Sequence, residues 1–434
     1  MKPDLREAAA AIRSGAASGR RYCEALLARI RHREPQVRAW AALDESRALA
    51  LAQSRDDERN SGAALGPLHS IPVGVKDIID TADLPTEMGS PVFAGNRPAA
   101  NAAVVERLLA AGAYVLGKTV TTEVAFLHPG KTRNPWNPAH TPGGSSSGSA
   151  AAVAAGFVPG AIGTQTNGSV IRPAAFCGVV GFKPGFGLVP IAGVLPFSPS
   201  LDQLGVFARS VADAAALAAA IAEPGSISAA VAKHDRPPRI AFLVNYPWNR
   251  AEPEAAAQLR AILARLAAAG AAVAELPLEA PLRDAQRVHR TIMFYEGARQ
   301  HSARQAKQRE SLSPELNAAI DQGLAISDRD YSRALEAAGE IRKRASDLFE
   351  HCDVVASLPA PGAAPAGLET TGDPSFCTLW SLTGFPSITI PTGLSAAGLP
   401  FGLQLAARSG AEDRLLSIAQ WCEGVVAFSA SPFA

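Results

Sequence analysis

Polar and apolar residues follow two rhythms along this chain. In "LREAAAAIRSG" and "PEAAAQLRAILARLAAAG" apolar residues recur at helical spacing, with charges on the other face and a glycine closing each run. "YSRALEAAGEIRKRASDLFE" and "EDRLLSIAQWCEGVV" keep the same period. Shorter apolar runs ("SIPVGVKDIID", "IAFLVN", "DVVASLPAP", "FPSITIPTG", "FGLQLAA") read as strands. "AAVVERLLAAGAYVLGKT" joins the two as helix, glycine stop and strand. Residues 1–60 read as helices and 61–434 as one large body, in which about 223–350 is charged and helix-rich. This order predicts an α/β fold, a mixed β-sheet core wrapped by α-helices.

One stretch breaks both rhythms. At the chain's 19% charged content, the 68 residues 134–201 should carry about 13 charged side chains. They carry two, Arg172 and Lys183. Glycines and hydroxyls interrupt the stretch too often for a membrane span. It reads as the buried centre of the fold and the place to look for a site.

Composition narrows the partners. A formal net charge of +1 makes a weak field, which does not favour nucleic acid or an anionic membrane. A small-molecule substrate is the expectation, with a homodimer as the assembly considered. The N-terminus lacks the apolar core of a signal peptide, so a cytoplasmic protein is expected. Five cysteines, an odd count without C-x-x-C, do not suggest a disulfide framework. Scattered histidines and no H-E-x-x-H leave no metal site or other cofactor expected.

Four readings compete for "GGSSSGSAAAVAAG", Gly143–Gly156. A flexible linker is opposed by the strong helix former that follows. A helix N-cap explains one serine, not four. A phosphate cradle has a better letter match in "GAYVLGKT", Gly112–Thr119, but its strand formers follow a helix, the wrong context for a P-loop. Catalysis remains. A serine nucleophile needs a base. His140, among prolines, looks structural, whereas Lys76 lies in the apolar strand "PVGVKD". Burial away from carboxylates lowers a lysine pKa. The competing role for Lys76 is an ion pair with Asp77, although neighbours on a strand face opposite sides. "TQTNGSVIRP" offers Thr166, Asn167, Gly168 and Ser169 as a loop of backbone N–H donors for an oxyanion, or simply an Asn-Gly turn.

With those residues assembled, the chain resembles the amidase signature family of serine hydrolases. "GGSSSGSAAAVAAGFVPGAIGTQTNGSVIRPAAFCGVVGFKP" is similar to that family's defining signature. "GPLHSIPVGVKDIID", "SLDQLGVFARSVADAA" and "GFPSITIPTG…GLPFGLQL" extend the likeness over most of the chain. The resemblance implies a Ser–cis-Ser–Lys triad: Lys76 as base, Ser145 as bridging serine on a cis peptide, Ser169 as the acylated nucleophile. It further implies an oxyanion hole over Thr166–Ser169. Ser146, Gly143, Gly144, Arg172 and Asp202 would be supporting positions, and 61–434 the signature domain.

Three positions depart from the family pattern. Gln165 stands where Asp is usual and Asn167 where Gly is usual, and Arg172 falls three residues after Ser169 instead of two. Asn167 is expected to crowd the oxyanion side, and the loss of the Asp and the displacement of the Arg to be linked. The function expected is hydrolysis of C–N bonds in small amides, anilides, carbamates or urea derivatives through an acyl-serine. The alternatives are the subunit of a tRNA-dependent amidotransferase, which the departures at Gln165 and Asn167 disfavour, and a non-catalytic binding protein, which the triad residues disfavour. The variable loops expected to shape the pocket are parts of 122–133 and 285–330. The apolar "VAFLHPG" and "TIMFYEG" would serve it, unless they are core.

Overall fold

Short polar side chains start the first helices. Asp4, Ser18 and Asp44 accept backbone N–H bonds at the heads of α1 (Leu5–Arg13), α2 (Gly19–Val37) and α3 (Glu45–Asn60). The computed structural model describes residues 4–234, 236–245 and 251–433. Inside the segment read as helical, β1 (Trp40–Leu43) forms between α2 and α3. Next come β2 (Pro72–Lys76), α4 (Ala103–Ala110), β3 (Tyr114–Thr119), α5 (Ser147–Ala154), β4 (Gly160–Gln165) and α6 (Ile171–Cys177). Then follow β5 (Val180–Lys183), β6 (Gln203–Ala208), α7 (Val211–Ile221), β7 (Arg239–Leu243), α8 (Pro253–Ala268) and β8 (Ala272–Leu276). The chain closes with α9 (Ala285–Gln308), α10 (Pro314–Leu324), α11 (Asp328–Asp347), β9 (Val354–Ser357), α12 (Thr378–Thr383), β10 (Ser387–Leu394), β11 (Pro400–Ala406) and α13 (Glu412–Val426).

All eleven strands join one sheet, ordered β1-β3-β2-β4-β6-β5-β10-β11-β9-β7-β8. β2 runs parallel to β3 and β4, and β7 to β8 and β9; the remaining pairs are antiparallel. The sheet is therefore mixed, as expected. Its central strands β2, β3, β4, β5 and β6 are buried at every residue; β2 and β3 were expected as strands, and β4, β5 and β6 were not singled out. β1 and β8 are the edges. Trp40 of β1 lies over Gly117, where a Cβ would come within 2.9 Å of the indole.

The charge-poor stretch lies at the centre of this sheet. Every residue of α5 from Ser147 to Val153 is buried, and so is all of α6. Small side chains let α5 press against backbone: a Cβ on Gly148 would sit 2.3 Å from the Val120 nitrogen and 2.4 Å from the Ala39 oxygen. "YVLGKT" forms β3 and opens no helix, so the P-loop letter match holds no phosphate cradle. The five cysteines are free and buried. Among the described residues, no helix is long and apolar enough to cross a membrane.

Candidate active site

Lys76 ends β2 with no exposed surface. Its Nζ lies 2.7 Å from Ser145 Oγ and 2.7 Å from Thr164 Oγ1. Asp77 faces elsewhere, as strand alternation requires: it pairs with Lys118 at 3.3 Å and accepts from the Glu87 N–H. Burial therefore holds Lys76 well below its ordinary pKa, with only the more distant charge of Asp202 acting against it. Lys118 is also lowered by burial, but the carboxylate of Asp77 opposes the shift.

The four serines after Gly143-Gly144 do different things. The Gly144–Ser145 peptide is cis, and Ser145 faces Lys76. Ser146 donates to the Thr164 carbonyl at 3.1 Å and accepts from the Thr164 N–H at 3.3 Å, tying the head of α5 to β4. Ser147 donates to Val120 O, and Ser149 to Ile162 O at 3.1 Å. Gly143 takes a φ of +81°, and a Cβ there would press on Pro173 at 2.8 Å.

Ser169 follows Gly168, whose φ is +74°. Among the described residues, the backbone N–H groups of Thr166, Asn167, Gly168 and Ser169 find no acceptor, and nothing hydrogen-bonds to Ser169 Oγ. Buried N–H groups are rarely left so. Four in succession beside a hydroxyl make a natural place for an oxyanion. Thr166 donates its hydroxyl to Asp202 at 2.6 Å. Asp202 is pushed up to about 6 by burial, against the bonds from Thr166 and from the N–H groups of Phe197 and Ser198. The Asn167 side chain is tied down, its Oδ1 accepting from the Thr378 hydroxyl at 3.1 Å.

Gln165 and Arg172 are not linked to one another. Gln165 Oε1 accepts from the N–H groups of Val170 and Ile171 at 2.9 and 3.1 Å, and its Nε2 donates to Ser381. A neutral amide thus caps the start of α6. Arg172 is buried and lowered to about 10 by desolvation. It donates to the Thr371 carbonyl at 2.7 Å and to the Gly144 carbonyl at 2.7 Å, so it holds the peptide that carries Ser145. Its Nη1 is buried without a partner. Gln165 and Arg172 each bond their own neighbours, with Arg172 Nη1 left over.

Sequence reasoning missed two members of this cluster. Thr164, the second hydroxyl on Lys76, gave no signal in the sequence: the register sets Val75 against Ile162, so plain alternation would group Thr164 with Asp77, yet at the strand ends its Oγ1 meets Lys76 Nζ at 2.7 Å. His289 of α9 bonds the Thr166 carbonyl at 2.9 Å. Its signal was spacing, since Ala285, Val288, His289 and Ile292 form one buried helix stripe. His140 is structural, its Nδ1 donating to Ala364 O at 2.8 Å. A cavity of about 630 Å³ opens under β7 and β8, lined among others by Ile240, Val273 and Arg344, but no residue of the cluster lines it. Chemistry, not the size of a void, marks the site. Among the described residues, no group of three or more His, Cys, Asp or Glu is placed to hold a metal ion.

The amidase family model matches residues 21–416. The chain belongs to the amidase family. A glutamyl-tRNA(Gln) amidotransferase subunit of Chloroflexus aggregans is 36% identical, covering 94% of this chain and 93% of that protein. Its namesake in Anaeromyxobacter dehalogenans is 35% identical, over 96% and 95%. Among solved structures, an amidase is similar with a TM-score of 0.89 and 31% identity, over 97% of this chain and 99% of that one. The peptide amidase of Stenotrophomonas maltophilia has a TM-score of 0.83 at 30%, over 99% and 98%. A 6-aminohexanoate cyclic dimer hydrolase has 0.86 at 26%, over 99% of each. The amidase family assignment thus carries the catalytic fold with it.

The expectation of a small-molecule substrate and no nucleic acid is overturned by these comparisons. Amidase-family relatives similar over almost their whole length are named as components of a glutamyl-tRNA(Gln) amidotransferase. A net charge of +1 describes the field of one chain. It does not exclude a nucleic-acid surface that an assembly supplies.

Proposed function

We propose that this amidase-family chain cleaves amide C–N bonds through an acyl-Ser169 intermediate. One observation carries the reading: Lys76 is fully buried, touches two hydroxyls at 2.7 Å and has no carboxylate beside it. A neutral amine has one lone pair and two hydrogens. It can take a proton from Ser145 while donating to Thr164. Ser145 in turn takes the proton of Ser169, whose oxygen attacks the amide carbonyl. The N–H groups of Asn167, Gly168 and Ser169 receive the developing oxyanion. As the tetrahedral adduct collapses, the C–N bond breaks and the proton returns through Ser145 to the leaving nitrogen. Water, losing its proton to the same relay, then releases the acyl group as acid.

The curated relatives favour a setting in which this chain is the amidase component of a tRNA-dependent amidotransferase, with the released nitrogen passed to an acceptor. A second setting, a hydrolase acting alone on small amides, is favoured by the likeness to the peptide amidase and the cyclic dimer hydrolase, and by Gln165 and Asn167. Ammonia or amine release from glutamine, anilides, carbamates and ureas by the chain alone supports the second setting. Release that requires added tRNA and partner proteins supports the first. In either setting Ser169→Ala is expected to abolish turnover and covalent labelling in a folded protein. A variant retaining more than a few per cent of the rate would remove Ser169 from its role.

A further inference from the structure

The loop that carries the free N–H groups is gripped from one side by a single helix. His289, near the start of α9, is 1% exposed, and its Nε2 lies 2.9 Å from the Thr166 carbonyl oxygen. A carbonyl can only accept, so Nε2 carries the hydrogen and donates it. Burial lowers the imidazole to about 4, so this ring is a neutral donor at working pH. Two helical turns further along α9, Glu296 accepts from Ser198 Oγ at 2.7 Å and from the Ser200 N–H at 3.0 Å. That holds the 197–202 loop, and Asp202 at its end accepts the Thr166 hydroxyl at 2.6 Å. Thr166 is therefore held twice against α9: at its carbonyl by His289, and at its hydroxyl through Asp202 and Glu296.

The carbonyl grip has a geometric consequence. A trans peptide is planar, and its C=O and N–H point in opposite directions. Fixing the Thr166 carbonyl toward α9 turns the Asn167 N–H to the other side of the loop. The Thr166 hydroxyl and the Asn167 side chain are anchored to Asp202 and Thr378, but among the described residues the bond from His289 is the one made to this peptide's own atoms. We propose that His289 is a positioning residue for the oxyanion loop, holding the Thr166–Asn167 peptide so that the Asn167 N–H faces the carbonyl attacked by Ser169. The inference rests on the reading of Ser169 as nucleophile and of 167–169 as oxyanion donors.

A fluorophosphonate probe tests it. Its P=O group occupies the oxyanion position as Ser169 displaces fluoride. The maximal labelling rate, kinact, reports how well the donors are set, while the half-saturating concentration, KI, reports probe binding. His289→Ala is expected to lower kinact about 10- to 100-fold, below the full loss of a donor, with KI little changed. His289→Gln places an N–H at similar reach and is expected to stay within about threefold of the parent rate. If His289→Ala does not fold, His289→Leu replaces it, with similar bulk and no donor. A folded Ala or Leu variant with parental kinact overturns the inference, and so does a Gln variant as slow as Ala, since a purely packing role would give either result. The labelled peptide is identified by mass. If the parent protein is not labelled at Ser169, the nucleophile reading itself fails, an outcome distinct from any His289 result.

Discussion

Two lysines among the described residues are fully buried and have no carboxylate in contact, yet their surroundings ask for opposite charge states. Lys183, at the end of β5, donates to Gln203 Oε1 at 2.7 Å, Phe385 O at 2.7 Å and Pro184 O at 3.1 Å. None of these acceptors has a hydrogen to give back. Three acceptors match the three hydrogens of an ammonium, although burial pulls this lysine down to about 7. Lys76 meets two hydroxyls instead, and each can donate or accept. That set suits a neutral amine with a free lone pair. Burial alone therefore does not make a base. The chemistry of the partners decides whether a buried lysine is a staple or a proton acceptor.

The largest effect that would break this comparison is on turnover. Lys76→Ala is expected to lower kcat/KM by about 10²- to 10⁴-fold. Lys76→Arg should not restore it, because a guanidinium stays protonated. In the proposed mechanism the active form is neutral Lys76, so kcat/KM should rise with pH and level off. The midpoint should lie below the ~10.4 of a solvated lysine, because burial lowers Lys76. The Ala variant should lose that rise. An Ala variant with an unchanged midpoint would assign the base to another group.

Much of this contrast was written in the sequence, and the remainder was hidden for physical reasons. The charge-poor stretch with clustered hydroxyls pointed to the region, Lys76 stood out in an apolar strand, and the resemblance to the amidase signature family singled out Ser145 and Ser169. β4, β5 and β6 passed unread because glycines and polar residues break them, whereas β2 and β3 were legible because burial on both faces leaves largely apolar runs. β1 was not, because at the edge only Trp40 of its four residues is fully buried, and helices flank it on both sides. The α9 stripe was seen as apolar texture, and His289 within it was passed over. A histidine on a helix shows which face it shares but not which distant carbonyl it meets. Nor could net charge reveal the company that the relatives keep.

The second test turns to stability. Lys183→Met leaves three buried acceptors unpaired and is expected to cost about 3 kcal/mol in urea denaturation. The pH midpoint of kcat/KM should stay in place. Lys76→Met should behave in the opposite way, inactive but with no more than about 1 kcal/mol lost at neutral pH. Burial depresses both lysines, so the difference lies in what each leaves: two hydroxyls that can turn to other partners at Lys76, acceptors with no donor at Lys183. The folded pKa of Lys76 is depressed, so between that value and ~10.4 the unfolded chain binds the extra proton. Parent stability therefore rises with pH through this window, and at neutral pH the buried amine already works against folding. If Lys76→Met were the more destabilising of the two, the staple and the base would have been assigned the wrong way round.

The smallest effect sharpens the comparison at one neighbour. Gln165 follows Thr164, which touches Lys76, and it is the position where a neutral amide stands in place of the family's usual carboxylate. Gln165→Glu keeps an oxygen for the N–H groups of Val170 and Ile171, which now bond to Gln165 Oε1 at 2.9 and 3.1 Å. The Ser381 hydroxyl, which now accepts at 3.1 Å, can turn and donate instead. Two backbone donors favour the ionised form of the new carboxylate. Its charge should stabilise protonated Lys76 and raise the midpoint of kcat/KM by about one unit. On the acid side of the profile the rate should then fall about tenfold, while the alkaline plateau stays level. A pH series of initial rates for the two proteins reads this directly. A midpoint that stays fixed or moves down would mean that the group titrating in the profile is not Lys76.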